Sequence, residues 1–376
     1  MTKPQQTKYK YNTSFKSILY INAMASICDK VRNSCRSWMT TKGHQYVKIH
    51  HEPLREVAVR IRQQAKILWD EEDWHYQPPE AWPQSIRQER IALYILALDA
   101  INFCFWPSKD SYEYVDIACT LTAMASHDHD TLDPLVSQTS KMEQASSSSF
   151  LLSPSNLRNL SESDMTNLFT KFHSASKCPP DMDRRCALWN ELGNVLCTDF
   201  DGSATRLIES ANGSAVELVQ QIYDSFPGFR DWDEQHHLYF LKRAQICVGD
   251  LQAALKSQEL TKDMHQLTTF ADYRLPQLLR HWGVFEYIDS KLAEAVDACE
   301  ELPVGSDQEL SIRAATVDAV EQLVALLSDK KGDRELPEDG QIWTSVQVDW
   351  YLWQVGEKMD GENLLKPHHR VRTIFY

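Results

Sequence analysis

The sequence predicts a mainly α-helical protein with at most a small β-hairpin. Three observations carry that expectation. Apolar residues recur at spacings of three and four over most of the chain. Val/Ile-rich alternating runs, the mark of half-buried strands, are nearly absent after residue 150. Helix start and stop signals punctuate the pattern, among them Ser153-Pro154-Ser155 and Gly283. No repeat at a fixed period stands out, so a solenoid is not expected.

The elements follow in order. Residues 1–30 are polar and Lys-rich and predict a weakly ordered extension. From Val31 the pattern turns helical, and Leu54, Val57, Ile61, Ala65 and Leu68 make one apolar face. Pro78, Pro79 and Pro83 mark a turn before a helix from about Pro83 to Asn102, which carries Ile91, Leu93, Ile95 and Leu98. Partial alternation around Tyr112–Thr122 predicts a short hairpin. Residues 125–149 hold few large apolar side chains and end in four Ser, which reads as an inserted surface loop. Helices are then expected at about 155–172, 182–199, 204–225, 237–256, 264–282, 284–299, 306–328 and 341–357. The length of 376 residues allows one large domain or two of ordinary size. The pattern favours one helical domain over 31–376.

Composition narrows the function classes. Lys plus Arg number 39 against 53 Asp plus Glu, a formal charge of −14. With 43% hydrophobic and 24% charged residues, disorder over the whole chain is not expected. A nucleic-acid polymer is a poor partner for so acidic a chain, because phosphate neutralisation needs a basic surface. A small anion held by a local basic cluster stays open. The start, MTKPQQTKYKYNTSF, lacks the apolar core of a secretory signal. No run of eighteen apolar residues predicts a membrane span. The nine Cys are odd in number and form no CxxC pair, so a reduced, cytoplasmic chain is expected. The 13 His fall mainly in adjacent or i,i+2 pairs without HExxH spacing, and no metal site is expected.

Four segments place ionisable residues in apolar surroundings. Leu98-Asp99-Ala100-Ile101-Asn102-Phe103-Cys104-Phe105-Trp106-Pro107 sets an Asp and an Asn among aromatics at a helix end. It is either a plain helix terminus or one wall of a pocket. In Thr268-Thr269-Phe270-Ala271-Asp272-Tyr273-Arg274-Leu275-Pro276, the proline disfavours helix at Leu275 and fits the first turn of a following helix. A carboxylate, a phenol and a guanidinium therefore gather at one joint, either as an Asp272–Arg274 surface pair or as a site. In the third segment, Ile342, Val346, Asp349 and Trp353 fall at i, i+4, i+7 and i+11, and only Asp349 is not apolar. An Asp on a core-facing stripe is costly unless bonded, paired or facing a cavity. It is either a structural cap or a carboxylate with a perturbed pKa. The final segment, Pro367-His368-His369-Arg370-Val371-Arg372-Thr373-Ile374-Phe375-Tyr376, is too apolar for a frayed terminus and is expected to dock. Lys242-Arg243 adds a local positive cluster.

Taken together, LDAINFCFWP, LYFLKRAQICVGD, TTFADYRLPQLLRHWG, QVDWYLWQVGE and PHHRVRTIFY, in that order, resemble the queuosine salvage protein family. The resemblance runs from about Val31 to Tyr376 and is weakest through 110–180. It implies a fold like that of the helical DNA glycosylases and hydrolysis of queuosine 5′-phosphate to release queuine. Phe270 and Asp272 match family positions that contact queuine, and Asp349 matches the acidic residue assigned to catalysis. Trp350 stands where the family often has Tyr, and Gln354 where relatives have a ligand-contacting Asp. His75 is the best match for a queuine-binding His. Motif context suggests Lys242, Arg274, His369 and Arg370 as phosphate donors.

The implied chemistry passes through an oxocarbenium-like state, as in glycoside hydrolysis. A carboxylate under the sugar stabilises that charge and orients a water. It requires no metal or cofactor. The implied partner is a small-molecule substrate, with no nucleic-acid polymer and no membrane. Two alternatives stay open: a queuine-binding protein without hydrolytic activity, and a DNA-lesion glycosylase, which the acidic charge opposes.

Overall fold

The computed structural model describes residues 25–64, 76–106, 112–127, 150–255, 262–328 and 343–376. Residues 1–24, Leu68, His75, Pro107, Ile342 and most of the 125–149 segment lie outside the described residues. Among those described, fourteen α-helices surround two small antiparallel sheets of two strands each. The mainly α class expected from the sequence is the class observed. No described helix is long and apolar enough to cross a membrane.

Two helices form the centre. Helix α3 (Gln84–Ala100) buries every residue from Ala92 to Ala100. Helix α13 (Asp307–Ser328) buries an unbroken run from Glu309 to Val317. A helix buried all round needs partners on every side. Helix α10 (Lys242–Leu255) packs on α3, while α1 (Ile27–Thr41) and α14 (Ser345–Gly361) pack on α13. One core cluster runs through all of them, from Ile27 to Tyr376.

Local chemistry sets the ends of these helices. Ser26 caps α1 by accepting the Asp29 N–H at 3.1 Å, so the first helix starts before Val31. Thr344 and Gln347 form a reciprocal capping box that starts α14. Gly283 leaves helix α11 (Arg274–His281) with φ +72°, the left-handed turn that glycine adopts without strain.

Several expected boundaries move. Tyr112–Thr122 is no hairpin: Tyr114–Ser126 is helix α4, opened by a Glu113–Asp116 capping box. Ile117, Ala118, Leu121, Met124 and Ala125 are all buried at helical spacing, and that period wins over the short alternation. The 204–225 helix breaks at Asn212-Gly213, both in left-handed geometry. The 284–299 stretch opens with strand Phe285–Tyr287, which pairs antiparallel with Val47–Ile49 in the register Val47↔Tyr287. A true hairpin joins Trp232–Asp233 to Leu238–Tyr239, and its second strand takes the place where a helix was expected to start at 237. The 264–282 stretch is a short 3₁₀ turn, a loop, and then α11, which admits Leu275 and Pro276 to its first turn.

Two buried arginines close the C-terminal end of α3. Arg185 donates to the carbonyls of Pro180 (2.7 Å), Ile101, Phe103 (2.7 Å) and Cys104 (3.3 Å). Arg243 donates to those of Asp99 (3.3 Å), Ala100 and Gly228. Burial lowers both guanidinium pKa values to about 10, so both stay charged at neutral pH. A cation at a helix C-terminus satisfies orphan carbonyls and opposes the dipole. The C-terminal tail docks as expected: His369, Val371, Thr373 and Tyr376 are buried, and the Tyr376 carbonyl accepts the Cys104 N–H at 3.0 Å.

Candidate active site

The site forms where the C-terminal end of α3, the first turns of α10, the 267–273 loop and α14 meet. The loop is not helical because side chains take its backbone donors. Gln245 of α10 accepts the Thr268 N–H at 2.8 Å and donates to the Thr268 hydroxyl at 2.8 Å. Asp349 of α14 accepts the Phe270 N–H at 2.8 Å and the Thr269 hydroxyl. At the loop's end, Asp272 Oδ1 accepts the N–H groups of Arg274 (2.8 Å) and Leu275 (3.4 Å), which caps α11.

Asp349 is 3% exposed, so the odd member of its helical stripe does face inward. Both of its bonds fall on Oδ2, and Oδ1 accepts none among the described residues. No cation pairs with it directly among those residues. Burial pushes its carboxyl up to about 7, and the charge of Asp272 adds to the rise. The two donors and Lys242 pull it back.

Lys242 is buried at the start of α10, with Nζ donating to the Asn102 carbonyl at 3.3 Å. Burial lowers its pKa, while Asp272, Asp99 and Asp349 all act to raise it. One lysine therefore sits among three carboxylates. Asp99 is fully buried; its Oδ1 accepts the Asn102 amide at 3.3 Å and its Oδ2 is an unpartnered buried oxygen. Asp250, also buried, is driven well above the ordinary carboxylate range by desolvation and then by Asp99.

Two aromatic rings meet at α10. Phe270 is buried, and its Cζ and the Cζ2 of half-buried Trp350 converge on Gly249 of α10. Each lies 3.5 Å from where a Cβ on that glycine would be.

Phe270, Asp272, Asp349, Trp350 and Lys242 are thus brought together. The remaining sequence candidates sit differently. Gln354 is exposed, on the far side of α14 from Asp349. Arg274 is committed to Glu357 (2.7 Å), Asp360 (2.8 Å) and Gln277 (2.7 Å), so its charge is already neutralised. His369 is 1% exposed, with its ring 5.7 Å from that of Tyr376, and burial holds its imidazole well below its ordinary pKa. Arg370 lies 5.5 Å over the Trp106 ring and makes no ion pair among the described residues. His75 lies outside the described residues.

Sequence reasoning missed Thr269, Gln245 and Asp250 as site residues. For Asp250 a weaker signal existed: Arg243, Cys247, Asp250 and Ala254 share the i, i+4, i+7, i+11 spacing, but Arg243 makes that stripe less apolar than the one holding Asp349. Gln245 carried no such signal, because its partner Thr268 is distant in sequence.

A helical scaffold that gathers a raised-pKa carboxylate, two aromatic rings and a buried lysine has the make-up of a candidate small-molecule site. The chain belongs to the queuosine salvage protein family, whose model matches residues 82–376. It is 35% identical over 344 residues to a Dictyostelium discoideum protein named queuosine 5′-phosphate N-glycosylase/hydrolase, covering 88% of this chain and 94% of the relative. A protein of the same name from Sphaerobacter thermophilus is 34% identical over 337 residues, covering 84% and 95%. The Mus musculus protein of that name is 30% identical over 344 residues, covering 88% and 94%.

Proposed function

We propose that this protein hydrolyses the N-glycosidic bond of queuosine 5′-phosphate and releases queuine. The observation that carries the reading is Asp349: a buried carboxylate fixed on one oxygen by Thr269 and the Phe270 N–H and bare on the other among the described residues. The names of the relatives support queuosine 5′-phosphate as the substrate.

As the C1′–N bond lengthens, positive charge grows on the sugar. Ionised Asp349 stabilises that charge, and its free Oδ1 accepts the proton of the attacking water. The water oxygen joins C1′, and the base departs with the bonding electron pair and is then protonated. Phe270 and Trp350 stack the base. Asp272, partly exposed, offers acceptor capacity to the guanine-like edge or to the side-chain ammonium of queuine. Of the four cations considered for the 5′-phosphate, Arg370 fits best. Arg274 is neutralised, His369 is held uncharged, and Lys242 is enclosed by carboxylates.

Asp349→Asn tests the assignment. Wild type and variant are incubated with queuosine 5′-phosphate, and free queuine is measured by chromatography. The variant should lose about 10²–10⁴-fold in turnover, and wild-type kcat/KM should fall as pH drops through about 7. Comparable release by both proteins would remove Asp349 from the mechanism.

A further inference from the structure

A buried ion pair links the two backbone pieces that carry the site. Arg313 of α13 and Asp231 are each 2% exposed. The guanidinium holds the carboxylate in a fork, at 2.9 Å to Oδ1 and 2.6 Å to Oδ2. Its third donor, Nε, bonds the Ala271 carbonyl at 3.1 Å. On the other side, Asp231 Oδ2 also accepts the backbone N–H of Lys242 at 2.9 Å. The Asp231 carbonyl accepts the N–H groups of Phe240 and Leu241, both at 3.0 Å. Leu241 is held at φ +57°, a geometry that a bulky residue keeps only when its surroundings enforce it. The Phe240 and Tyr376 rings lie 4.0 and 4.3 Å from the guanidinium carbon.

One pair therefore grips both backbone pieces that carry the site. Ala271 sits between Phe270, which donates to Asp349, and Asp272. The Lys242 N–H begins the helix whose ammonium faces Asp272, Asp99 and Asp349. Stability alone gives little reason to keep such a pair, since apolar replacement of a buried ion pair is often neutral.

We infer that Arg313 and Asp231 are positioning residues, which set the spacing between the Thr269–Asp272 segment and Lys242 and so orient the donors on Asp349. The inference rests on Asp349 acting as the catalytic carboxylate. On the two helices packed against α14, Arg274 is paired with Glu357, Arg280 with Asp297, Arg313 with Asp231 and Glu309, Asp307 with Lys42, Asp318 with Arg36 and Glu321 with Arg32. Asp272 and Lys242 are the charged groups that bias Asp349.

Arg313→Lys keeps the charge opposite Asp231 but loses the planar fork and the separate bond to Ala271. The double variant Asp231→Asn with Arg313→Met removes the pair and leaves Glu309, 3.9 Å from the guanidinium in the wild type, to the Gly305 N–H and the Tyr376 hydroxyl. Both are compared with wild type on queuosine 5′-phosphate across pH, with folding checked by circular dichroism. We expect kcat to fall about tenfold or more. We also expect the acidic midpoint of kcat/KM to move up, because loosened Thr269 and Phe270 donors no longer hold the Asp349 carboxylate down. Partial unfolding that is constant with pH lowers the amplitude of that profile and leaves its midpoint in place, so circular dichroism is recorded at every pH and rates are taken only where the folded fraction is unchanged. Folded variants with the wild-type midpoint overturn the positioning role. A wild type that releases no queuine overturns instead the activity on which the role rests.

Discussion

Asp231 and Asp349 are carboxylates of nearly equal burial, 2% and 3% exposed, in opposite situations. Asp231 receives a two-pronged guanidinium and the N–H that opens α10. Asp349 receives a hydroxyl and one amide on a single oxygen, and no direct cation among the described residues. The first arrangement satisfies the charge. The second leaves it under-compensated, and burial accordingly raises its pKa to about 7. Burial by itself thus says little about what a carboxylate does. The partners supplied to it decide whether it holds the fold or remains available to a ligand.

The sharpest way to break this contrast is to remove each carboxylate and measure stability. Asp231→Ala leaves Arg313 in the core facing the more distant Glu309 carboxylate, at 3.9 Å, and uncaps α10. Loss of one partner of a buried pair costs about 3–5 kcal/mol, so urea unfolding should show a large fall in midpoint. A change under about 1 kcal/mol would mean that the pair is not needed by the fold.

Asp349→Asn should behave in the opposite way. A carboxyl whose folded pKa is raised penalises the native state once it must ionise. For Asp349 that penalty grows as pH climbs from the ordinary 3.8 toward about 7 and is complete above it. The asparagine removes the penalty and keeps an acceptor for Thr269 and Phe270. Relative to wild type the variant should gain stability with rising pH, by at most about 4 kcal/mol above neutrality. Equal differences at pH 5 and pH 8 would show that the carboxyl is not perturbed.

Much of this was legible in the sequence, and the reason differs by residue. Asp349 stood out because helical period alone predicts which residues face the core. Phe270 and Asp272 were visible as a cluster at a joint marked by Pro276, although the joint ends at Tyr273 and not beyond Leu275. What holds the loop before that joint open was not legible. It depends on Gln245 and Asp349 capturing the amides of Thr268 and Phe270, and those contacts span 23 and 79 positions. The role of Arg313 was hidden for the same reason, since Asp231 and Ala271 lie 82 and 42 positions away. Local pattern reports which face of a helix is buried. It does not report which distant carbonyl a buried arginine will meet.

The smallest effect is expected at Gln354, five residues beyond Asp349 on the same helix. Family resemblance would put a ligand contact there, yet the side chain is exposed and lies well round the helix from Asp349. An exposed side chain without a buried partner contributes within about 0.5 kcal/mol to stability. Gln354→Ala should therefore leave the unfolding midpoint, the KM for queuosine 5′-phosphate and the turnover number close to wild type. Steady-state kinetics on the two proteins decide the matter. A KM raised about tenfold with turnover unchanged would mean that the ligand reaches the outer face of α14, which extends the site beyond the carboxylate cluster. Unchanged kinetics would confine recognition to the inner face, where Asp349 and the Phe270 and Trp350 rings converge.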